Sequence, residues 1–473
     1  MLNKTIPLAH STRLLGIWLD DRLNFKCHLN HVRKNATNNI NILRILTNKT
    51  SFAHRESLFR FLHGWIIPSI LYGIGFVSKA SEVMLTKLEP LYNSCVRLIS
   101  SAFRTSPIPS LMAESGQIPF RFLVAKHLSS KAIRSMANRH NNDSPMVERT
   151  NSFLLQTTGD SLPTICPRLG PKIRNWNDTP PKVDMSLKKN IRAGDPRTTV
   201  LPHFNHLVEA KYNGQPQVYT DGSKSNCGKV GCGIYDGVSS RSHGLPDTCS
   251  VFSAEAFALL EAIERSESNS VIFSDSASVL TAIAAGNIKH PWIYTLSKKA
   301  PLRNITLCWI PGHSGIPGNE AADRLAAAGT HLPSSINCIP QSDAMLYIKN
   351  KILKAWAIQW SDNIQAKLRE VKNSTEIWND RPCPTERRAL TRLRIGHTRL
   401  THLHLITRDD PPTCPSCNVQ ITIKHILTNC SLYHTHRSSC SLSTSLRQIL
   451  APCPDEEKKL ISFLKKSNLL HQL

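Results

Sequence analysis

The sequence predicts an α/β region at about residues 215–331, set between two mainly helical, basic regions. Two observations lead there. Four short apolar runs, "QVYTDG", "KVGCGIYDG", "SVIFSDS" and "ITLCWIPG", have strand character. Between and after them lie helix-patterned stretches, "SVFSAEAFALLEAIERS", "ASVLTAIAAG" and "EAADRLAAAG". The charge follows the same division. Of the net +24, residues 1–214 carry +16, residues 215–330 carry −1 and residues 331–473 carry +9. Basic flanks around a neutral, acid-containing centre favour a polyanionic partner, with nucleic acid the expected one.

Taken in order, "RLLGIWL" (13–19) is a strand candidate. "FKCHLNHVRKNATNNINILRILTN" and "RESLFRFLHGWIIPSILYG" then place apolar residues at helical spacing through about residue 140. From 141 to 214 prolines punctuate a polar stretch, which reads as an irregular connector with short elements. Residues 340–473 read as basic and helical, with Cys and His clustered at 414–430. The most apolar segment, "GWIIPSILYGIGFV" (64–77), is broken by Pro68, Gly73 and Gly75 and falls short of the ~18 residues that span a bilayer. No membrane role is expected. Fourteen cysteines without a regular framework fit a reduced, intracellular protein, nuclear or cytoplasmic.

The stretch "WIPGHSGIPGNEAAD" (309–323) carries the chemistry. Gly312, Gly315, Pro317 and Gly318 make a loop that holds His313, with Asn319 expected as the N-cap and Asp323 on the first turn of the following helix. Three more acids stand at expected element ends: Asp221 after the first strand, Glu255 on the first helix and Asp275 after the central strand. Each alone would be an ordinary surface carboxylate. Four gathered together repel one another and call for cations, and oxygen ligands suit Mg²⁺ or Mn²⁺. Two such ions form a clamp for phosphodiester hydrolysis.

In order and spacing, "YTDGSK", "SAEAFALLEAI", "FSDSASVL" and "WIPGHSGIPGNEAADRLA" resemble the type-1 ribonuclease H domain of retroelements. The resemblance implies a mixed five-stranded sheet, hydrolysis of the RNA strand of RNA–DNA hybrids and two Mg²⁺ ions, for which Mn²⁺ can substitute. It makes Asp221, Glu255, Asp275 and Asp323 the metal-binding carboxylates and His313 the loop histidine of the site. Asn319 and Glu320 are then supporting positions. The short segment 286–304 leaves no room for a basic, helix-bearing insertion, so hybrid binding is expected to fall on neighbouring regions.

Upstream, "LLGIWLDDRLNFKCHL" (14–29) resembles the strand and helical thumb that follow the palm in non-LTR retrotransposon reverse transcriptases. Only nineteen residues precede Asp20, too few for a palm. Asp20 and Asp21 are therefore expected to be structural or surface residues, and no polymerase activity is expected. Downstream, Cys414, Cys417, His425 and Cys430 have spacing that can close a tetrahedral zinc site. They resemble the cluster after the ribonuclease H domain in such polyproteins. A redox Cys-x-x-Cys is the other reading, but no thioredoxin-like βαβ pattern surrounds it. The expected domains are thus a thumb-like region (1–140), a connector (141–214), a ribonuclease H domain (215–331) and a zinc-bearing C-terminal region (340–473). The rivals to an active nuclease are a catalytically inactive nucleic-acid-binding remnant and a ribonucleoprotein assembly module.

Overall fold

The computed structural model describes residues 9–47, 53–75, 81–138, 144–169, 179–191, 194–286, 289–378 and 383–473. The chain forms two compact units, one of residues 129–155 and 159–350, the other of residues 1–128, 156–158 and 351–473. Residues 76–77 of the apolar segment and Pro171 of the connector lie outside the described residues. Among the described residues, no helix is long and apolar enough to cross a membrane.

The first of these units is built on a mixed sheet. Its strands are β1 (Lys182–Asp184), β2 (Gln217–Lys224), β3 (Val230–Tyr235), β4 (Ser240–Leu245), β5 (Val271–Ser274) and β6 (Thr306–Trp309), in the order β1-β6-β5-β2-β3-β4. The β1–β6, β6–β5 and β5–β2 pairs are parallel, whereas β2–β3 and β3–β4 are antiparallel. Helices α1 (Arg197–Lys211), α2 (Val251–Arg265), α3 (Ala277–Ala284), α4 (Pro291–Leu302), α5 (Pro317–Gly329) and the part of α6 (Gln341–Ser361) up to residue 350 accompany it.

Strand β5 is Val271, Ile272, Phe273 and Ser274, buried throughout, as expected of a strand covered on both faces. Helix α2 starts at Ser250, whose hydroxyl accepts the Ser253 N–H, and buries Ala256, Leu259, Leu260 and Ile263. Each large side chain of that stripe contributes roughly 1.5–3 kcal/mol. A Cβ on Gly233 would lie 2.3 Å from the Ala322 carbonyl oxygen, so only glycine lets α5 pack this closely on β3.

Several sequence expectations are corrected. The sheet has six strands, because Lys182–Asp184 adds β1 beside β6. A three-residue strand with one apolar residue leaves no alternation to read. Among its described residues the stretch 141–214 holds longer elements than the short ones expected of a connector, namely α1 and a helix at Pro145–Thr158, besides β1. Prolines read as breakers act there as helix starters. Pro145 follows the capping Ser144, and α1 begins directly after Pro196. The short segment 286–304, where no insertion was expected, carries α4, which packs on α2 with the Trp292 ring against Phe257.

In the second unit, the expected strand at 13–19 is a hairpin, Ser11–Leu14 with Ile17–Asp20, turned at Leu15 and Gly16, both with positive φ. The helix Lys26–Leu46 follows. Residues Arg55–Leu71 run helically through a π turn at Leu62–Ile66, because Pro68 has no N–H to give Gly64. Near the other end of the chain Arg394 pairs with Glu457 at 2.9 Å and Glu114 at 3.5 Å, all three buried. Lys372, also buried, donates to the Ala113 carbonyl. Residues far apart in sequence thus share one interior, and a buried charge without its partner would be strongly destabilising.

Candidate active site and metal centre

The parallel pairing of β2 with β5 ends at Thr220 and Ser274. The next residue on each strand is Asp221 and Asp275, so two adjacent strands present aspartates at the same level. β2 itself continues to Lys224 along β3, with Asp221 opposite Gly233. Asp221 is therefore in mid-strand, at the point where one neighbour stops, and not at the strand end. Glu255 reaches this level from α2. A Cβ on Gly222 would fall 2.5 Å from the Glu255 nitrogen, so the glycine after Asp221 is what allows the helix to come so near. Ligand oxygens of Asp221, Glu255 and Asp275 all lie within 4.8 Å of one another.

Asp323 stands at the margin of this trio. Its helix α5 begins at Pro317 with Ile316 as the N-cap. Asn319 is thus inside the first turn and Asp323 in the second, correcting both expectations. The sequence favoured Asn as a cap, but Pro at the first helical position outweighs it. Asn319 donates its amide N–H to Asp323 Oδ1 at 3.2 Å. Asp323 Oδ2 lies 3.1 Å from His313 Nδ1. His313 itself adopts a left-handed backbone at φ 51° and exposes its ring. Glu320 accepts the Gly315 N–H at 3.2 Å, and Trp309 Nε1 donates to the Asp275 carbonyl at 3.1 Å. These bonds fix the loop around the acids.

The electrostatics follow from burial. Burial, with Asp323 adding to it, pushes Asp221 up to about 6. Burial and Asp221 do the same to Asp275, also to about 6. Asp323 rises to about 6 through burial, with His313 opposing and Asp275 adding. Glu255 is raised well above the ordinary carboxylate range, by burial first and then by Asp221 and Asp275. Its Oε2 is enclosed without a hydrogen-bond partner. An oxygen-only set of mutually repelling carboxylates, one with an unpaired buried oxygen, fits a hard divalent cation.

The Cys/His cluster also comes together. Cys414, Cys417, His425 and Cys430 offer ligand atoms within 4.8 Å of one another. Cys414 and Cys417 sit on a tight knuckle in which Cys414 N–H donates to Val419 O and Asn418 N–H to Cys414 O. His425 opens a π turn, His425–Asn429, that delivers Cys430 at its end. Tetrahedral zinc places its sulfurs roughly 3.8 Å apart, and Cys414 Sγ lies 3.6 Å from Cys430 Sγ. The Ser431 hydroxyl, with its N–H, lowers the Cys417 thiol to about 7. His425 Nε2 is buried without a partner. The donor set fits zinc. The flanking Ile423, Ile426 and Leu427 pack with Leu390, Leu393, Leu460 and Phe463. The cluster is therefore anchored in a wider core, which its short sequence did not suggest.

Asp20 accepts the Asn24 N–H at 2.9 Å in the turn after the hairpin, and Asp21 lies 3.5 Å from His10. Sequence reasoning missed three contacts at the end of β2 and the start of α2, the elements that carry Asp221 and Glu255. Lys224 donates to the Asp247 and Cys249 carbonyls, Asp343 holds Ser250, and Ser253 meets His290 at 3.1 Å. Each is a contact between distant residues with no local signature.

A six-stranded mixed sheet, with aspartates at the level where two central parallel strands separate and a glutamate on the facing helix, defines an α/β domain of the ribonuclease H-like class. Residues 213–331 match the RNase H family, and the chain carries an RNase H domain there. That family comprises nucleases acting on RNA–DNA hybrids. The match stops short of β1, α1 and α6 on either side.

Proposed function

We propose that the chain is a Mg²⁺-dependent endonuclease that hydrolyses the RNA strand of RNA–DNA hybrids. The reading rests on one observation: Asp221, Glu255 and Asp275 bring ligand oxygens within 4.8 Å in a buried setting that raises all three. Asp323, and His313 beside it, complete the candidate site. Two Mg²⁺ ions, when bound, supply Lewis-acid activation and neutralise charge developing on the phosphodiester. The three clustered carboxylates, with Asp323 at their margin, would hold and space them, and Asp323 also holds the loop histidine. His313, exposed and within 3.1 Å of Asp323, moves a proton at its imidazole and helps product leave.

The motif order, and the Cys/His cluster beyond the domain, support descent from a non-LTR retrotransposon polyprotein. In that reading residues 1–140 are thumb-like, 215–331 are the nuclease and 340–473 carry a structural zinc on Cys414, Cys417, His425 and Cys430. Labelled RNA–DNA hybrid, double-stranded RNA and double-stranded DNA of one sequence, each incubated with Mg²⁺, test the function. Cleavage confined to the RNA of the hybrid is expected. Binding without cleavage would mark an inactive remnant.

A further inference from the structure

Strand β1 lies outside the matched family region, yet it brings basic side chains to the rim of the carboxylate site. β1 is parallel to β6 and β6 to β5, with Asp184 paired to Cys308 and Ser274 to Trp309. The chain leaving β1 therefore emerges at the end of the sheet where Asp275 stands. That end is two strand spacings away, about 10 Å. The residues there are Ser186–Lys189, a single 3-10 turn. Lys188 and Lys189 are exposed, and Lys188 Nζ sits 5.9 Å from the centre of the Trp309 ring at the end of β6.

Arg197, the exposed first residue of α1, lies against the loop that carries His313. A Cβ on Gly315 would lie 2.5 Å from Arg197 Cδ, and one on Gly312 would lie 2.3 Å from Asp275 Oδ2. The loop that carries His313 is thus wedged between Arg197 and a metal-site carboxylate. Gly315, at φ +80° and against the arginine, is held to glycine by its backbone conformation. Among the described residues, none of Lys188, Lys189 and Arg197 is paired with a carboxylate. Neighbouring Asp184 is taken up by Lys211, Tyr212 and Ser186.

We propose that Lys188, Lys189 and Arg197 form a phosphate-binding rim that seats the backbone of an RNA–DNA hybrid beside the carboxylates. The inference deepens the nuclease reading and rests on it. Among the described residues the helix after α3 is α4, packed on α2, and this rim supplies positive charge at the β1 edge of the sheet. Unpaired, exposed cations flanking an anionic metal site suit a phosphodiester backbone, which needs charge neutralised on both sides of the bond that is cut.

The test uses the full chain with Asp221→Asn, so that hybrid is not consumed. Fluorescence anisotropy with an end-labelled hybrid, across a salt series, compares that protein with one also carrying Lys188→Ala, Lys189→Ala and Arg197→Ala. Affinity is expected to fall about tenfold, and the log–log salt slope to shrink by roughly 0.7–0.9 per lost contact. Lys188→Arg, Lys189→Arg and Arg197→Lys together should restore both, because they keep the charge. Unchanged affinity and slope in the alanine variant would overturn the rim. So would a loss of affinity that the charge-keeping variant does not restore. The nuclease reading is judged separately, by whether the wild-type chain cuts the same hybrid.

Discussion

Asp343 accepts the Ser250 N–H on Oδ2 at 2.9 Å and the Ser250 hydroxyl on Oδ1 at 2.8 Å. Ser250 is the N-cap of α2, the helix that carries Glu255, and Asp343 lies on α6 beyond the matched family region. A carboxylate from outside the matched domain therefore clamps the start of the helix on which a candidate metal ligand rides. Asp343→Ala removes the acceptor of the half-buried Ser250 N–H and leaves the Ser250 hydroxyl only Ser253, and should lower stability by about 1–3 kcal/mol. Because Glu255 would lose its fixed placement, the Mg²⁺ concentration for half-maximal cleavage should rise, and Asp343→Asn should fall between. Melting curves and metal titrations check this. A loss of stability with an unmoved metal midpoint would reduce the clamp to a structural cap.

The raised carboxylates make the stability of the metal-free protein depend on pH. Asp221, Asp275 and Asp323 each sit at about 6, above their unfolded value, so the folded chain binds their protons more tightly. That contribution is complete below about pH 4 and is lost as pH rises through about 6. The metal-free melting temperature should accordingly lose this contribution between those values. Mg²⁺ or Mn²⁺ at pH 7 should restore stability by binding the ionised acids. Asp221→Asn removes one of the charges and should be more stable than wild type at pH 7 without metal, and less responsive to it. A variant stabilised by Mg²⁺ as strongly as wild type would contradict the ligand assignment.

Zinc should order the knuckle more than the turn that follows. About one zinc per chain is expected by elemental analysis. Ile423, Ile426 and Leu427 are packed in a wider core, whereas the knuckle is held by hydrogen bonds, from Cys414 N–H to Val419 O, from Asn418 N–H to Cys414 O, and between Ser416, Cys417 and Ser431. Chelation should speed amide exchange over 413–420 strongly and over 423–430 weakly, and Cys417→Ser should act in the same way. Hydrolysis of short hybrids should persist, since the two sites differ in ligand chemistry. Protein purified without zinc, and with exchange unmoved by chelation, would leave the cluster without a metal role.

His313 should matter for turnover more than for metal binding. Its ring is exposed and touches the site through Asp323 alone among the carboxylates described. His313→Ala should slow cleavage by about 10²-fold, within the range of a lost acid–base group. The Mg²⁺ midpoint should stay in place. A large shift in that midpoint would instead make the histidine part of the metal-holding framework.

The motifs made the carboxylates legible because each sits in a local pattern: an acid at a strand's pairing limit, on a capped helix, or after a Gly/Pro loop. The cysteines and His425 were legible from spacing for the same reason. What escaped was non-local. Val183 gives β1 no alternation to detect, and Asp343 reaches Ser250 across ninety-three positions. Arg197 meets the His313 loop only because β1 and α1 fold back onto the sheet. Proline misled for a physical reason, since Pro145 and Pro317 open helices at the one position where a missing N–H costs nothing.

The metal-dependent hydrolysis of hybrid RNA proposed for the Asp221, Glu255 and Asp275 cluster stands or falls on single-turnover cleavage of an end-labelled hybrid with Mg²⁺, comparing wild type with Asp221→Asn under matched conditions. The expected result is cutting of the RNA strand by wild type, none of the DNA strand, and no detectable cutting by the variant, which still binds the hybrid. Equal cleavage by both proteins, or an intact hybrid with wild type, would contradict it.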